Sequence, residues 1–176
     1  MVVTARRLTA DEFLALPPEP NVQLIDGKIV VNDPTMRHQR IAFYLAHAFG
    51  TWVDAHPDGG EAGFGFNYRI DDANVYIPDA WFFTEPHRPV CDIPFLDGVP
   101  DLVVEVRSPS TWRYDIGRKK DGYRARGVAE LWLIDTMADR VLVFRGDEEL
   151  VLGRGEQLTT FLMPGLVIDV TDLFGR

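Results

Sequence analysis

Apolar residues recur at helical spacing in one long segment, residues 37–54, where successive members of the set lie three or four positions apart: Ile41, Leu45, Ala48, Phe49 and Trp52. This spacing predicts an α-helix with one apolar face. A shorter helix is predicted over residues 9–16, with acids in its first turn and Pro17 directly after it. Between the two helices, residues 22–31 predict a β-hairpin around the two-residue turn Asp26-Gly27.

The middle of the chain carries patterns that are typical of strands. Strands are predicted over residues 63–70 and 75–83, and the second is interrupted by Pro78-Asp79, where the proline favours a strand start, an edge or a bulge. A proline-containing loop at 86–98 leads into a continuous apolar run at 101–107, as expected of a central buried strand. A helix from Trp112 or Tyr114 to Arg126 and a buried strand at 131–135 follow.

The order strand, helix, strand over residues 101–135 indicates a βαβ-like unit, which favours a mixed sheet with helices packed on it. Residues 140–144, 149–152 and 166–170 predict a terminal antiparallel meander. We therefore expect an α/β (α+β) fold, with a mixed β-sheet flanked by helices and additional antiparallel strands. The chain of 176 residues is expected to form a single domain, 1–176.

Composition narrows the class of protein. With 46% hydrophobic residues the chain can build a core, which excludes a disordered protein. No apolar run approaches the ~20 residues that a membrane span needs, and the first 20 residues lack the apolar core of a signal peptide. Cys91 is the only cysteine, which excludes an intrachain disulfide. We expect a cytoplasmic protein with no membrane partner.

Charge is unevenly distributed along the chain. The formal net charge is -9, which disfavours non-specific coating of nucleic acid. Residues 107–126 nevertheless carry seven basic and two acidic side chains, a net charge of +5. This segment is either a local anion-binding face or an ordinary solvated, arginine-rich helix.

Two acids lie within strongly apolar surroundings. Glu105 follows Leu-Val-Val in the predicted central strand, and Asp79 lies between apolar runs on another strand. A buried carboxylate is costly unless it is paired or binds a metal ion. Each acid is therefore either a ligand of a hard cation such as Mg²⁺ or a strand-end acid paired with an arginine such as Arg107. Asp101 is expected only to start its strand.

Candidate cations follow the central strand. Arg107 lies two residues after Glu105 and so on the same face. Lys119 and Lys120 both flank the inward face of the next helix, whose buried residues are expected to be Ile116 and Tyr123, and the spacing does not choose between the lysines. His38 opens the long helix and could line the site or serve as a polar neighbour of the helix cap.

Several segments together resemble one known family: 100–111, 115–119, Tyr123 and 127–135, with 23–27 and 77–79 upstream. They are similar to the Uma-two family of putative restriction endonucleases, of the PD-(D/E)XK nuclease superfamily, over nearly the whole chain. The resemblance implies a restriction-endonuclease-like fold, with Asp79 in the PD element and Glu105 as the acid of the (D/E)XK element. It also implies that the working lysine is Lys119, because Arg107 replaces the usual lysine. The family usually has glutamate where this chain has Gln23, so Gln23 is either a weakened metal-site position or a hydrogen-bonding group below the site.

The first functional hypothesis is a metal-dependent DNA endonuclease. Asp79 and Glu105 would bind Mg²⁺ (or Mn²⁺), and Lys119 would position the attacking water. Phosphates would be contacted by Arg107, Arg113 and Lys120, and a homodimer would suit the cutting of both strands.

Two other hypotheses stay open. The net charge and Gln23 favour a catalytically inactive nuclease-fold module that binds nucleic acid or protein. A metal-dependent hydrolase of another phosphate ester, such as RNA, would be favoured by stacking aromatics near the site, for which Trp81 and Trp112 are candidates.

Overall fold

The computed structural model describes residues 6–90, 93–96 and 98–175, so Cys91 lies outside the described residues. In chain order the strands are β1 (Val22–Ile25), β2 (Lys28–Val31), β3 (Glu61–Gly63), β4 (Tyr68–Asp71), β5 (Asn74–Tyr76), β6 (Ala80–Phe83), β7 (Leu102–Val106), β8 (Glu130–Asp135), β9 (Arg140–Arg145), β10 (Glu148–Leu152), β11 (Gln157–Thr159) and β12 (Val167–Asp169). The α-helices are α1 (Ala10–Leu14), α2 (Met36–Ala55), α3 (Trp112–Tyr114), α4 (Lys120–Ala125) and α5 (Val170–Phe174), and a 3-10 turn spans Glu85–His87.

The N-terminal elements form from local signals and confirm the predictions for this region. Thr9 and Glu12 make a reciprocal capping box at the start of α1. Strands β1 and β2 pair around Asp26-Gly27, where both residues have positive φ, as a type I′ hairpin turn requires. Helix α2 begins after Thr35, whose side chain accepts a hydrogen bond from the His38 N–H.

A six-stranded mixed sheet, in the order β10-β9-β8-β7-β6-β3, forms the centre of the fold. Strands β7 and β8 run parallel and are joined by the α3–α4 segment, which confirms the predicted βαβ-like unit; the other neighbouring pairs are antiparallel. One face of this sheet packs against α2, α5 and the β11–β12 pair. The other face packs against α4 and a four-stranded sheet in the order β2-β1-β5-β4.

Two of the predicted strands are each divided between the two sheets. Residues 75–83 are not one strand, because β5 pairs in the four-stranded sheet and β6 pairs in the central sheet. Residues 63–70 are divided in the same way between β3 and β4. The prediction of one strand over each range, with an interruption at Pro78-Asp79 in the second, did not foresee the two sheets, since apolar alternation does not show with which partner a strand pairs. The segment 77–79 thus crosses between the sheets and places Asp79 at that junction.

The predicted terminal meander is only partly correct. Strands β9 and β10 form an antiparallel pair as predicted. The third segment, 166–170, instead contributes β12, which pairs with β11 in a separate two-stranded sheet. Helix α5 then follows, capped by the Asp169 side chain. Within the described part of the chain, no helix is both long and apolar enough to cross a membrane.

Candidate active site

The carboxylate of Asp79 lies at the end of β7, beside Glu105. The Asp79 N–H donates to the Val104 carbonyl at 3.0 Å, and Asp79 Oδ2 accepts from the Val106 N–H at 2.6 Å. These two bonds reach the residues on either side of Glu105, so the chain crossing that contains Pro78 holds the two acids next to each other. The negative charge of Asp79 adds to the forces that raise the pKa of Glu105.

Lys119 is buried against two carboxylates under the central sheet. Its Nζ lies 2.6 Å from Glu105 Oε1 and 3.3 Å from Asp115 Oδ1. The side chain of Lys119 is 1% exposed and that of Glu105 is 3% exposed. Charges this deeply buried are tolerated only when they are paired and hydrogen-bonded. The structure therefore brings Glu105 and Lys119 together, with Asp115 as a third member that the sequence reasoning did not single out.

A π-helical turn at Asp115–Lys119 explains which side chains face inward. The wider turn joins α3 to α4 and directs both Asp115 and Lys119 towards the sheet, whereas Ile116 is 44% exposed. The expectation that Ile116 is buried was therefore wrong, because it assumed regular α-helical spacing. Lys120 instead lies with its ammonium 4.9 Å from the centre of the Phe144 ring.

The cluster of Glu105, Asp115 and Lys119 contains more acid than base. Burial raises the pKa of Glu105 to about 8, although Lys119 opposes the shift. Burial also raises the pKa of Asp115. For Lys119, burial alone would lower the pKa, but Glu105 and Asp115 outweigh it and hold the pKa above its ordinary value. The lysine therefore stays an ammonium, and the surplus negative charge favours uptake of a proton or another cation.

Tyr123 on α4 is a second group that the sequence reasoning placed only in the core. Its hydroxyl donates to Glu105 Oε1 at 2.6 Å. Burial and the neighbouring Glu105 raise the pKa of Tyr123 well above its ordinary value, so the hydroxyl remains a donor. The available signal for Asp115 was its position four residues before Lys119 on one helix, whereas no local signal marked Tyr123.

His38 and Gln23 hold the other side of the Asp79 segment. His38 Nε2 lies 3.0 Å from Asp79 Oδ1, and Nδ1 lies 3.4 Å from the Arg107 carbonyl. Burial lowers the pKa of His38, but the hydrogen bond to Asp79, the charges of Asp79 and Glu105 and the Arg107 carbonyl together outweigh burial and raise the pKa. Since both partners are acceptors, an imidazolium satisfies both contacts. Gln23 Oε1 accepts from the Ile77 N–H at 3.0 Å.

A cavity of about 230 Å³ opens beside Asp79. Asp79, His38 and Gln23 all line it, together with Phe43 and Phe64. The structure thus places both residues that were predicted to line the site on the wall of a cavity that reaches one of the two acids.

The predicted phosphate-contacting residues have protein partners of their own. The Arg107 guanidinium donates to Asp135 Oδ1 at 2.8 Å and lies 5.2 Å from the centre of the Trp112 ring. Arg113 lies over the ring of Tyr114 on the exposed side of α3. The contacts of these arginines with phosphate therefore remain predictions.

The two aromatic candidates for base stacking differ in their surroundings. Trp81 is packed in the core on the α4 side of the central sheet. It is therefore not available to stack on a base, and that suggestion was wrong. Trp112 is partly buried, with the guanidinium of Arg107 over its ring.

The carboxylates are ligands that suit a hard cation, although they do not form a complete coordination shell. Among the described residues, no group of three or more His, Cys, Asp or Glu side chains is arranged to hold a metal ion. Mg²⁺ usually keeps several waters and takes one or two protein carboxylates together with substrate phosphates. Asp79, Glu105 and the surplus negative charge around them fit that requirement.

Comparison with known proteins identifies a family and a fold. A family model described as "Uma2: Putative restriction endonuclease" matches residues 10–171. A solved structure described as a putative nuclease belonging to DUF820 from Anabaena variabilis ATCC 29413 has the same fold. It is 24% identical in sequence, with a TM-score of 0.85, over 96% of this chain and 98% of that one. No curated protein matches the chain.

Proposed function

The chain belongs to the Uma2 family of putative restriction endonucleases, and from this premise we propose that it is a metal-dependent DNA endonuclease that hydrolyses phosphodiester bonds. The family description supports a nuclease, and hence a hydrolase that acts on DNA. The dependence on a metal ion and the roles of individual residues form the finer part of the proposal.

The observation that carries the proposal is the buried contact of 2.6 Å between Lys119 Nζ and Glu105 Oε1, beside Asp79. Well-packed apolar side chains in place of a buried ion pair are often at least as stabilising. A fold that surrounds one lysine with several acids in its core is therefore poorly explained by stability alone. Buried groups with shifted pKa values are typical of active sites.

Asp79 and Glu105 are the residues that would hold Mg²⁺ or Mn²⁺. A divalent ion at this position would neutralise charge on the scissile phosphate and make attack by water easier. His38 orients the Asp79 carboxylate through its Nε2 contact, and Tyr123 orients Glu105 through its hydroxyl. Both are positioning residues.

Lys119 would act as a hydrogen-bond donor and not as a base, because its pKa is raised and it keeps its proton. Its ammonium would hold the attacking water or stabilise charge that develops on the phosphate. Arg107 holds a permanent charge close to the same strand end and would bind a neighbouring phosphate. Arg113 and Lys120 would extend this phosphate contact along the helix.

The proposal extends to assembly and location. A homodimer would place two sites in a two-fold arrangement that matches the two strands of a duplex. The single cysteine of the chain fits a reducing compartment such as the cytoplasm.

A second candidate is a nuclease-fold module that binds without cutting. Two observations favour it: both carboxylate oxygens of Asp79 already accept contacts from the protein, and Gln23 brings a neutral amide to the cavity. Plasmid cleavage separates the two candidate functions.

The test is cleavage of supercoiled plasmid in the presence of Mg²⁺ or Mn²⁺. We expect nicking by the native chain and its loss in Glu105→Gln and Lys119→Met. The matched control is Glu130→Gln, since Glu130 is a fully buried acid on the neighbouring strand β8, bonded to Trp132, Thr160 and Arg145. Circular dichroism checks that each variant folds. Failure to cleave with either metal, or cleavage that persists in both site variants, would overturn the nuclease and favour the binding module.

A further inference from the structure

The cavity beside Asp79 has a rim of two exposed phenylalanines. Phe43 on α2 is 71% exposed and Phe64 in the loop after β3 is 73% exposed, and both line the cavity. Large apolar side chains on the surface of a cavity are a common mark of a ligand site. Their rings offer flat faces close to the proposed hydrolytic site.

The loop that carries Phe64 is fixed in place on both sides. Gly63 lies so close to the Trp81 ring that a Cβ at this position would approach it to 2.2 Å. Gly65 has a φ of 57° and its N–H donates to the Pro78 carbonyl at 3.2 Å. The backbone therefore holds the Phe64 side chain beside the segment that carries Asp79, while the ring itself stays exposed.

The floor of the cavity contains an unused hydrogen-bond donor. Gln23 is 2% exposed, and its Oε1 accepts from the Ile77 N–H. This bond fixes the orientation of the amide and turns Nε2 away from Ile77. Within the described residues Nε2 has no hydrogen-bond partner, and the side-chain amides of Asn21 and Gln39 on the same cavity have none either. Gln23 Nε2 is not among the buried polar atoms that lack a partner, so it keeps access to the cavity, where an acceptor on a ligand would accept its hydrogen bond.

The charged residues of the cavity indicate which part of a nucleic acid, the phosphate or the base, it would bind. None of the described residues that line it is lysine or arginine, and one of them is Asp79. The imidazolium of His38 is already paired with Asp79, so a phosphate would find no free cation among these residues, whereas a neutral, flat group with acceptor and donor atoms on its edge would fit. Nucleobases have these properties, but a base in a duplex is stacked and paired, so its face is not free.

We propose that this cavity binds an unpaired base of the nucleic-acid strand, stacked on Phe43 and Phe64 with its edge facing Gln23, so that the preferred substrate carries single-stranded or extruded nucleotides. The proposal rests on the proposed nuclease function, because it places this base next to Asp79. It assigns Gln23 to reading the base, a role that a glutamate at this position could not fill with a donor.

The test is the binding of a short fluorescein-labelled single strand of DNA, measured by anisotropy with Ca²⁺ in place of Mg²⁺. The comparison probes are the same strand in a duplex and the same backbone with abasic sites in place of bases. Base stacking predicts that Phe43→Ala and Phe64→Ala each weaken binding of the single strand roughly five- to hundredfold. The control Phe161→Ala removes a ring that is also largely exposed but does not line the cavity, and it should change binding by less than about twofold.

The proposal is overturned if the abasic strand binds as tightly as the normal one, or if both cavity variants bind like Phe161→Ala. The experiments distinguish a failure of the base-binding proposal from a failure of the proposed nuclease activity. Plasmid nicking that needs Glu105 but not the two phenylalanines, together with unchanged strand binding, would remove the base cavity and keep the nuclease. Strand binding that depends on Phe43 and Phe64 without any nicking would keep the base cavity and remove the nuclease.

Discussion

Replacement of Lys119 by methionine removes one positive charge from the core and keeps most of the side-chain volume. In the native chain this charge lies 2.6 Å from Glu105 Oε1 and 3.3 Å from Asp115 Oδ1. In the variant, two buried carboxyl groups would share this space without the lysine. Removal of one partner from a buried ion pair costs about 3–5 kcal/mol of stability. Here the lost ammonium is paired with two carboxylates.

Proton uptake gives an independent estimate of the stability that is lost when Lys119 is replaced. The folded variant can neutralise the cluster by binding one proton more than the native chain. For Asp115, with an ordinary pKa of 3.8, this uptake costs about 1.4 kcal/mol for each pH unit above that value, or about 4 kcal/mol at pH 7. Because the folded pKa of such a group is above its unfolded value, the stability of the variant falls as the pH rises. We therefore expect the deficit in free energy of unfolding, relative to the native chain, to shrink on acidification by up to about 1.4 kcal/mol per pH unit, until the pH nears the ordinary value of 3.8.

Urea unfolding followed by tryptophan fluorescence measures this deficit, since Trp132 is fully buried in the core. The matched control is Lys120→Met at the next position, where the ammonium lies over the Phe144 ring and contributes only about 0.5–1 kcal/mol. The double variant Lys119→Met/Asp115→Asn should recover part of the loss. A deficit for Lys119→Met no larger than that of Lys120→Met, or one that does not change with pH, would refute the buried cluster.

Three further predictions concern the same site. Since burial raises the pKa of Glu105 to about 8, Mg²⁺ must displace a proton, and calorimetric titration should show affinity that rises with pH up to about 8 and then levels off. Gln23→Glu adds a carboxylate to the cavity that Asp79 lines, so plasmid cleavage should reach half its maximum at a lower Mg²⁺ concentration. Tyr123→Phe removes the hydroxyl donor to Glu105 and should lower the free energy of unfolding by about 1–3 kcal/mol in urea titrations.

Local signals were sufficient for the helices and hairpin near the N-terminus. Asp26-Gly27 determines a tight turn by backbone conformation alone, and the apolar spacing of residues 37–54 determines the buried face of α2. Local sequence does not determine in this way which strands pair with each other. Residues 75–83 were therefore predicted as one strand interrupted at Pro78-Asp79, although β5 and β6 pair in different sheets on either side of Pro78.

The sequence by itself singled out Asp79 and Glu105, because an acid within an apolar run is costly to bury wherever the chain folds. It could not choose between Lys119 and Lys120 from helical spacing, and only the resemblance to a family favoured Lys119. The tertiary structure decided which lysine is buried, because a π-helical turn changes the angle between successive side chains and turns Lys119 inward. It also added Tyr123, whose hydroxyl meets Glu105 only because α4 packs on the central sheet, and such a contact depends on packing that no local pattern encodes.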